Sequence, residues 1–130
     1  VEFLGHLTLS DINREMGQAD ALILASRWVR DIEENQAMVI QEAMFTGLPV
    51  LATRSGGIPE VLPPSLYALM SEPANPESLA ARIEEFAGLP EVTWRRYSDE
   101  GVAFAHEHFA QGKVAPPVFR LLEGLVRRPP

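Results

Sequence analysis

Two glutamates, Glu34 and Glu42, stand eight positions apart in the stretch ENQAMVIQEA, with an apolar run between them. A carboxylate that accepts from vicinal hydroxyls is a common device for gripping a ribose. A second carboxylate at a loop edge can contact another polyol, or stabilise positive charge developing at a sugar carbon. Between the two, the first N–H groups of a helix have no partners inside it. With the helix dipole they form a seat for an anion such as a diphosphate. Glu42 would lie roughly two turns into that helix, and Glu34 at its mouth. The loop and first turn are Glu34, Asn35, Gln36, Ala37 and Met38, and the small Ala37 lets a ligand approach the backbone. Each acid also has a plain structural reading, as the solvent-facing edge of an apolar helix or as a dipole partner ahead of it. A lone carboxylate buried among Met38, Val39 and Ala43 would be expensive. Glu42 is therefore expected to face a cleft.

Such a pair needs a helix placed directly after a strand. The run ALILAS, residues 21–26, is apolar throughout and of strand length, as in a parallel sheet covered on both faces. A polar loop follows, then the apolar helix over about 36–46, with Gly47 suited to the left-handed position that ends it and Pro49 blocking continuation. PVLATR, residues 49–54, reads as a second buried strand, and SGGIPEV as a glycine turn with a short helical piece. Residues 1–4 read as a buried strand end, residues 11–18 as a helix capped by Ser10, and residues 67–70 as a third strand. Asn75-Pro76-Glu77 opens a helix over 77–86, with Leu79, Ile83 and Phe86 on one face. Residues 91–109 and 118–126 read as two further helices.

Strands and helices alternate with short connections, which argues for right-handed βαβ units and an α/β class. The expected architecture is one partial Rossmann-like parallel sheet over about 1–90, followed by C-terminal helices over about 91–127. Only three or four strands are read, against about six in a complete doubly wound domain. The sheet therefore looks incomplete on its amino-terminal side, and a chain that opens on Val1 rather than Met hints at residues upstream.

The 130 residues fit one domain, and 46% hydrophobic with 22% charged residues is a globular balance. A net charge of −7 leaves no basic stripe for a nucleic-acid backbone, so no nucleic-acid partner is expected. The absence of cysteine excludes disulfides and thiolate metal sites. His6, His106 and His108 form no ligand set by spacing, and no metal site is expected. No run approaches the roughly 20 apolar residues of a membrane span, and no signal peptide opens the chain. A cytoplasmic location is the default expectation. Gly56-Gly57 reads as a turn rather than a phosphate-binding fingerprint. Arg27, Arg30 and Arg54 read as solvated loop charges, and Trp28 and Trp94 as packing residues.

Taken in order, VEFLGHL, ADALILAS, ENQAMVIQEA, GLPVLAT and GGIPEV resemble the retaining glycosyltransferases of the GT-B fold in glycosyltransferase family 4. ENQAMVIQEA fits that family's E-x7-E motif, with Glu34 and Glu42 as its acids. Asn35-Gln36-Ala37 departs from the frequent Gly-Phe-Gly and keeps only the small third residue. The fit covers roughly residues 1–90 and is looser over the final helices.

The resemblance implies a C-terminal donor-binding half-domain and transfer of a sugar from a UDP- or GDP-sugar to a hydroxyl acceptor, with no separate cofactor. Glu42 would bind the donor ribose hydroxyls. Glu34 would be the catalytic residue, contacting the transferred sugar and supporting the retaining transition state. Backbone amides of Asn35, Gln36, Ala37, Met38 and Val39 would meet the sugar and diphosphate, and Gly5, His6 and Leu7 would border the base. The acceptor site, a basic diphosphate clamp and the amino-terminal GT-B domain would lie off this chain, leaving it inactive alone. The apolar stripe Val118, Leu121, Leu122 and Leu125 would face that missing domain or drive self-association, and peripheral membrane association of the full enzyme is a further partner expectation. The competing readings are a non-catalytic α/β interaction or scaffold module without donor binding, and another Rossmann-like nucleotide enzyme. Absence of a glycine fingerprint weakens the latter.

Overall fold

The structure, a computed structural model, describes residues 1–27 and 37–126, with the backbone alone from 121 onward. Residues 28–36 lie outside it, and with them Glu34, Asn35 and Gln36, as well as Trp28 and Arg30.

Thr8 opens α1 (Leu9–Met16) by a capping box with Asp11, two residues ahead of the expected Ser10 cap. The apolar run after it becomes β1 (Leu22–Leu24), and PVLATR becomes β2 (Val50–Ala52). The two pair in parallel, with Leu22 opposite Val50 and Leu24 opposite Ala52. Leu22 N–H donates to the Pro49 carbonyl and Thr53 N–H to that of Leu24, closing the ladder at both ends. All three β2 residues are buried, as a strand covered on both faces requires, whereas Ile23 of β1 is 46% exposed.

The connection between the strands carries α2 (Met38–Phe45), which buries Ile40, Ala43 and Met44. It ends where Gly47 takes a φ of +78°, a conformation that glycine adopts without steric cost. Two 3₁₀ turns follow, Ile58–Val61 and Pro64–Leu69. α3 (Pro76–Ala87) opens as its sequence signature predicts, with the Asn75 side chain accepting from Ser78 N–H. α4 (Glu91–His108) packs across α2, and its buried Gly101 stands where a Cβ would lie 3.4 Å from Met44 Cγ. α5 (Gln111–Val126) runs through Pro116 and Pro117.

Three expectations are corrected here. Residues 1–4 form no strand and lie exposed, with Phe3 94% exposed, because no neighbouring strand pairs with them among the described residues. Residues 67–70 are not a third strand. The second 3₁₀ turn runs to Leu69, and Tyr67 O–H donates to the Pro59 carbonyl. The parallel pattern resumes only at a single bridge between Thr53 and Ser71. On α3, Leu79 and Phe86 are half-buried, Phe86 packs against the core, and Ile83 is exposed, which leaves the expected shared face uncontradicted. The last helix begins at Gln111 rather than 118, ahead of two prolines that a sequence reading takes as a boundary. The α/β class with a small parallel sheet and many helices stands.

Candidate functional site

Because α2 links β1 to a parallel neighbour, its amino end must open on the carboxyl side of the sheet, where α/β proteins bind ligands. That end is built from a small residue. Ala37 is buried, carries no side-chain cap, and gives its carbonyl to Ile40 N–H at 3.0 Å. That bond uses the Ile40 N–H, so the first-turn N–H groups with no acceptor inside the helix are those of Met38 and Val39. Met38 is exposed and Val39 half-buried.

Glu42 lies on the outer face of α2, and its side chain is exposed. The expected burial cost therefore does not arise, because Ile40, Ala43 and Met44 take the inward positions. Glu34, its proposed partner, lies with Asn35 and Gln36 outside the described residues. Gly5 has a φ of +68°, His6 is exposed and Leu7 is half-buried. Among the described residues, no backbone hydrogen bond joins this loop to the start of α2.

The carboxyl ends of the strands hold a polar cluster that the sequence reading passed over. Thr53, Ser55 and Ser71 are the buried polar residues of the described chain, each at most 3% exposed, and all lie just beyond β2 or on its bridge partner. Thr53 Oγ1 donates to the Ser26 carbonyl at 2.6 Å. Ser55 Oγ and Ser71 Oγ have no hydrogen-bond partner among the described residues. The signal was present: a polar residue directly after an apolar strand sits where ligands bind in this fold class.

Next to the cluster lies a cleft of about 250 Å³, bordered by Ala25, Arg27, Thr53, Glu72, Asn75 and Leu79. Arg27 borders this cleft and is exposed, in keeping with a solvated charge. Arg54 turns elsewhere, with its guanidinium 5.8 Å from the centre of the Tyr67 ring. Trp94 donates its indole N–H to the Asp20 carbonyl at 3.2 Å, a packing role as expected. His106 sets its ring edge-on to Phe45 with centroids 5.1 Å apart, which ties the last turn of α4 to α2. No helix among the described residues is long and apolar enough to cross a membrane.

Comparison with known proteins bears on this arrangement. A family profile described as glycosyl transferases group 1 matches residues 1–88. The chain is 31% identical to the MMP alpha-(1->4)-mannosyltransferase of Mycolicibacterium hassiacum, over 98% of its own length and 33% of that protein's. It is 30% identical to spore coat protein SA of Bacillus subtilis, over 95% of this chain and 32% of that one. It is also 30% identical to an uncharacterized glycosyltransferase of Methanocaldococcus jannaschii, over 71% of this chain and 25% of the relative. The chain thus matches a quarter to a third of the length of these relatives. The profile runs unbroken across both parallel strands and the helix between them, and the chain belongs to the glycosyl transferases group 1 family.

Proposed function

We propose that this chain supplies the donor side of a retaining glycosyltransferase of GT-B architecture in family 4, as part of a longer enzyme. The substrate is a UDP- or GDP-sugar. Glu42 accepts from the ribose hydroxyls, and the backbone N–H groups from Asn35 to Val39 meet the sugar and diphosphate. Glu34 contacts the transferred sugar and offsets the positive charge that grows at its anomeric carbon. The bond from that carbon to the diphosphate oxygen breaks, a bond to the acceptor hydroxyl oxygen forms on the same face, and the hydroxyl proton leaves with the nucleoside diphosphate. Gly5, His6 and Leu7 border the base. The acceptor site and the cations that neutralise the diphosphate belong to segments beyond residues 1–130.

The observation that supports this most is the posture of α2. Ile40, Ala43 and Met44 face the core, the helix starts on the carboxyl side of the parallel pair, and Glu42 lies exposed on its outer face. The test is calorimetric titration of the complete polypeptide with UDP-glucose, UDP-galactose and GDP-mannose, the last chosen because one relative is named a mannosyltransferase. One donor is expected to bind, and Glu42→Ala to weaken it about tenfold or more, the scale of a lost charge-assisted hydrogen bond. Equal, weak binding by both proteins would overturn the reading in favour of a module that keeps the fold without the donor.

A further inference from the structure

Apolar and basic residues occupy separate sides of α5. Helical spacing sets Val114 and Val118 one turn apart, and the two border one groove with Ala115 and Phe119. Lys113 and Arg120 are seven residues apart, two turns, and share the side opposite Val118. Such a helix ordinarily buries its apolar face. Here Val114 is 47% exposed, Val118 50% and Phe119 63%. Pro116 and Pro117 also deny the helix two internal hydrogen bonds, so it depends on a partner more than an ordinary helix does. Charge selects the kind of partner. Residues 111–130 hold four basic residues, Lys113, Arg120, Arg127 and Arg128, against one acid, Glu123. Residues 1–110 hold seven basic and seventeen acidic residues. A basic, amphipathic end on an acidic chain is the pattern that anionic lipid attracts.

We propose that α5 docks on the surface of an anionic phospholipid membrane. Val114, Val118 and Phe119 enter the boundary between headgroups and acyl chains, and Lys113 and Arg120 reach headgroup phosphates on their long stems. The helix lies in the interface rather than across it, since no described helix is long and apolar enough to cross a membrane. The acidic bulk of residues 1–110 opposes this only weakly, because at physiological ionic strength repulsion fades within about 8 Å. A protein seated on the apolar side, whether another segment or a second copy, would leave Lys113 and Arg120 in water, whereas lipid uses both sides of the helix. The proposal does not rest on the donor reading. It names a surface and a lipid class, which the resemblance to family 4 does not.

The test is co-sedimentation of the complete polypeptide with vesicles of phosphatidylcholine alone and of equal parts phosphatidylcholine and phosphatidylglycerol. Binding to the anionic vesicles is expected to be at least about tenfold tighter than to phosphatidylcholine, and to weaken as sodium chloride is raised. Lys113→Glu/Arg120→Glu should lower affinity for the anionic vesicles about tenfold or more, since each basic residue near the surface is worth about fivefold. Val118→Ser/Phe119→Ser should lower it by a similar factor of about tenfold through lost apolar burial. All four side chains are exposed, so the fold is expected to persist. If circular dichroism shows either pair unfolded, Lys113→Gln/Arg120→Gln or Phe119→Ala takes its place, and unchanged vesicle affinity rejects the idea. No binding by the complete polypeptide overturns the proposal, and binding by residues 1–130 alone then shows that the rest of the polypeptide covers α5. Equal binding to both vesicles, or a loss confined to the apolar pair, overturns it in favour of an uncharged partner. Binding that neither pair weakens places the membrane contact elsewhere on the enzyme. A dimer that Val118→Ser/Phe119→Ser dissolves, with no vesicle binding, identifies a second copy as the occupant and likewise overturns it.

Discussion

At Thr8 one hydroxyl and one carboxylate close the start of α1. Thr8 Oγ1 donates to Asp11 Oδ2 at 2.6 Å, Thr8 N–H reaches the same oxygen at 3.3 Å, and Arg14 pairs with Oδ1 at 2.8 Å. The Thr8 hydroxyl first, then the Thr8 amide and Arg14, hold the Asp11 carboxyl below its ordinary value of 3.8. A carboxylate whose folded pKa is depressed adds stability that is present above 3.8 and lost as pH falls through the folded pKa. A carbon-detected NMR titration should therefore place the Asp11 midpoint below 3.8, with Thr8→Val moving it back up and speeding amide exchange in α1. A midpoint indifferent to Thr8→Val would refute the box as the cause. The sequence showed the carboxylate but put the cap on Ser10, which instead shares a hydrogen bond with Thr8 Oγ1 at 2.9 Å. Several of these residues have capping chemistry, and only backbone geometry chooses among them. The same limit applies at the site. Glu42 was picked out as a candidate because its spacing from Glu34 is a pattern along the chain. Thr53, Ser55 and Ser71 were not, because their burial comes from a bridge between residues distant in sequence.

Elements were read best where a local signal fixes them. Asn75 and Pro76 start α3 as expected, since a cap and a ring-locked φ act on the next turn alone. Strands were read worst, because apolar content states that a segment is buried and says nothing of its partner. Residues 67–70 are apolar enough for a strand, yet the turn that opens at Pro64 carries them as 3₁₀ helix. The joint after α2 shows how one residue links elements. Gly47 has φ +78°, its carbonyl accepts from Ser98 Oγ at 2.6 Å, and a Cβ there would lie 3.1 Å from that oxygen. Gly47→Ala meets a left-handed backbone and a crowded hydroxyl together, and should destabilise the protein by roughly 1–3 kcal/mol. Urea melts of Gly47→Ala and of the Gly47→Ala/Ser98→Ala pair separate the two causes. Relief of part of the loss in the pair marks the contact, whereas no loss in Gly47→Ala would contradict the account of the joint.

Over the whole molecule, the described sheet has two strands and one isolated bridge, and β1 leaves Ile23 partly exposed. Val114, Val118 and Phe119 of α5 are exposed as well. The sequence reading counts fewer strands than a complete doubly wound domain has, and the chain matches 25–33% of the length of three relatives. Donor binding and sugar transfer should separate accordingly. The α2 amino end and Glu42 are present in the isolated chain, whereas the proposed acceptor site and diphosphate-neutralising cations are not. Residues 1–130 alone should therefore transfer no sugar from UDP-glucose, UDP-galactose or GDP-mannose, and should bind the donor of the complete polypeptide at least about tenfold more weakly, because the diphosphate loses its charge partners. Radiolabelled-donor transfer and calorimetry on the two proteins side by side measure both quantities. Transfer by the isolated chain would show that the acceptor machinery lies within these residues. Donor affinity equal to that of the complete polypeptide would show that α2 and its neighbours hold the diphosphate without outside cations.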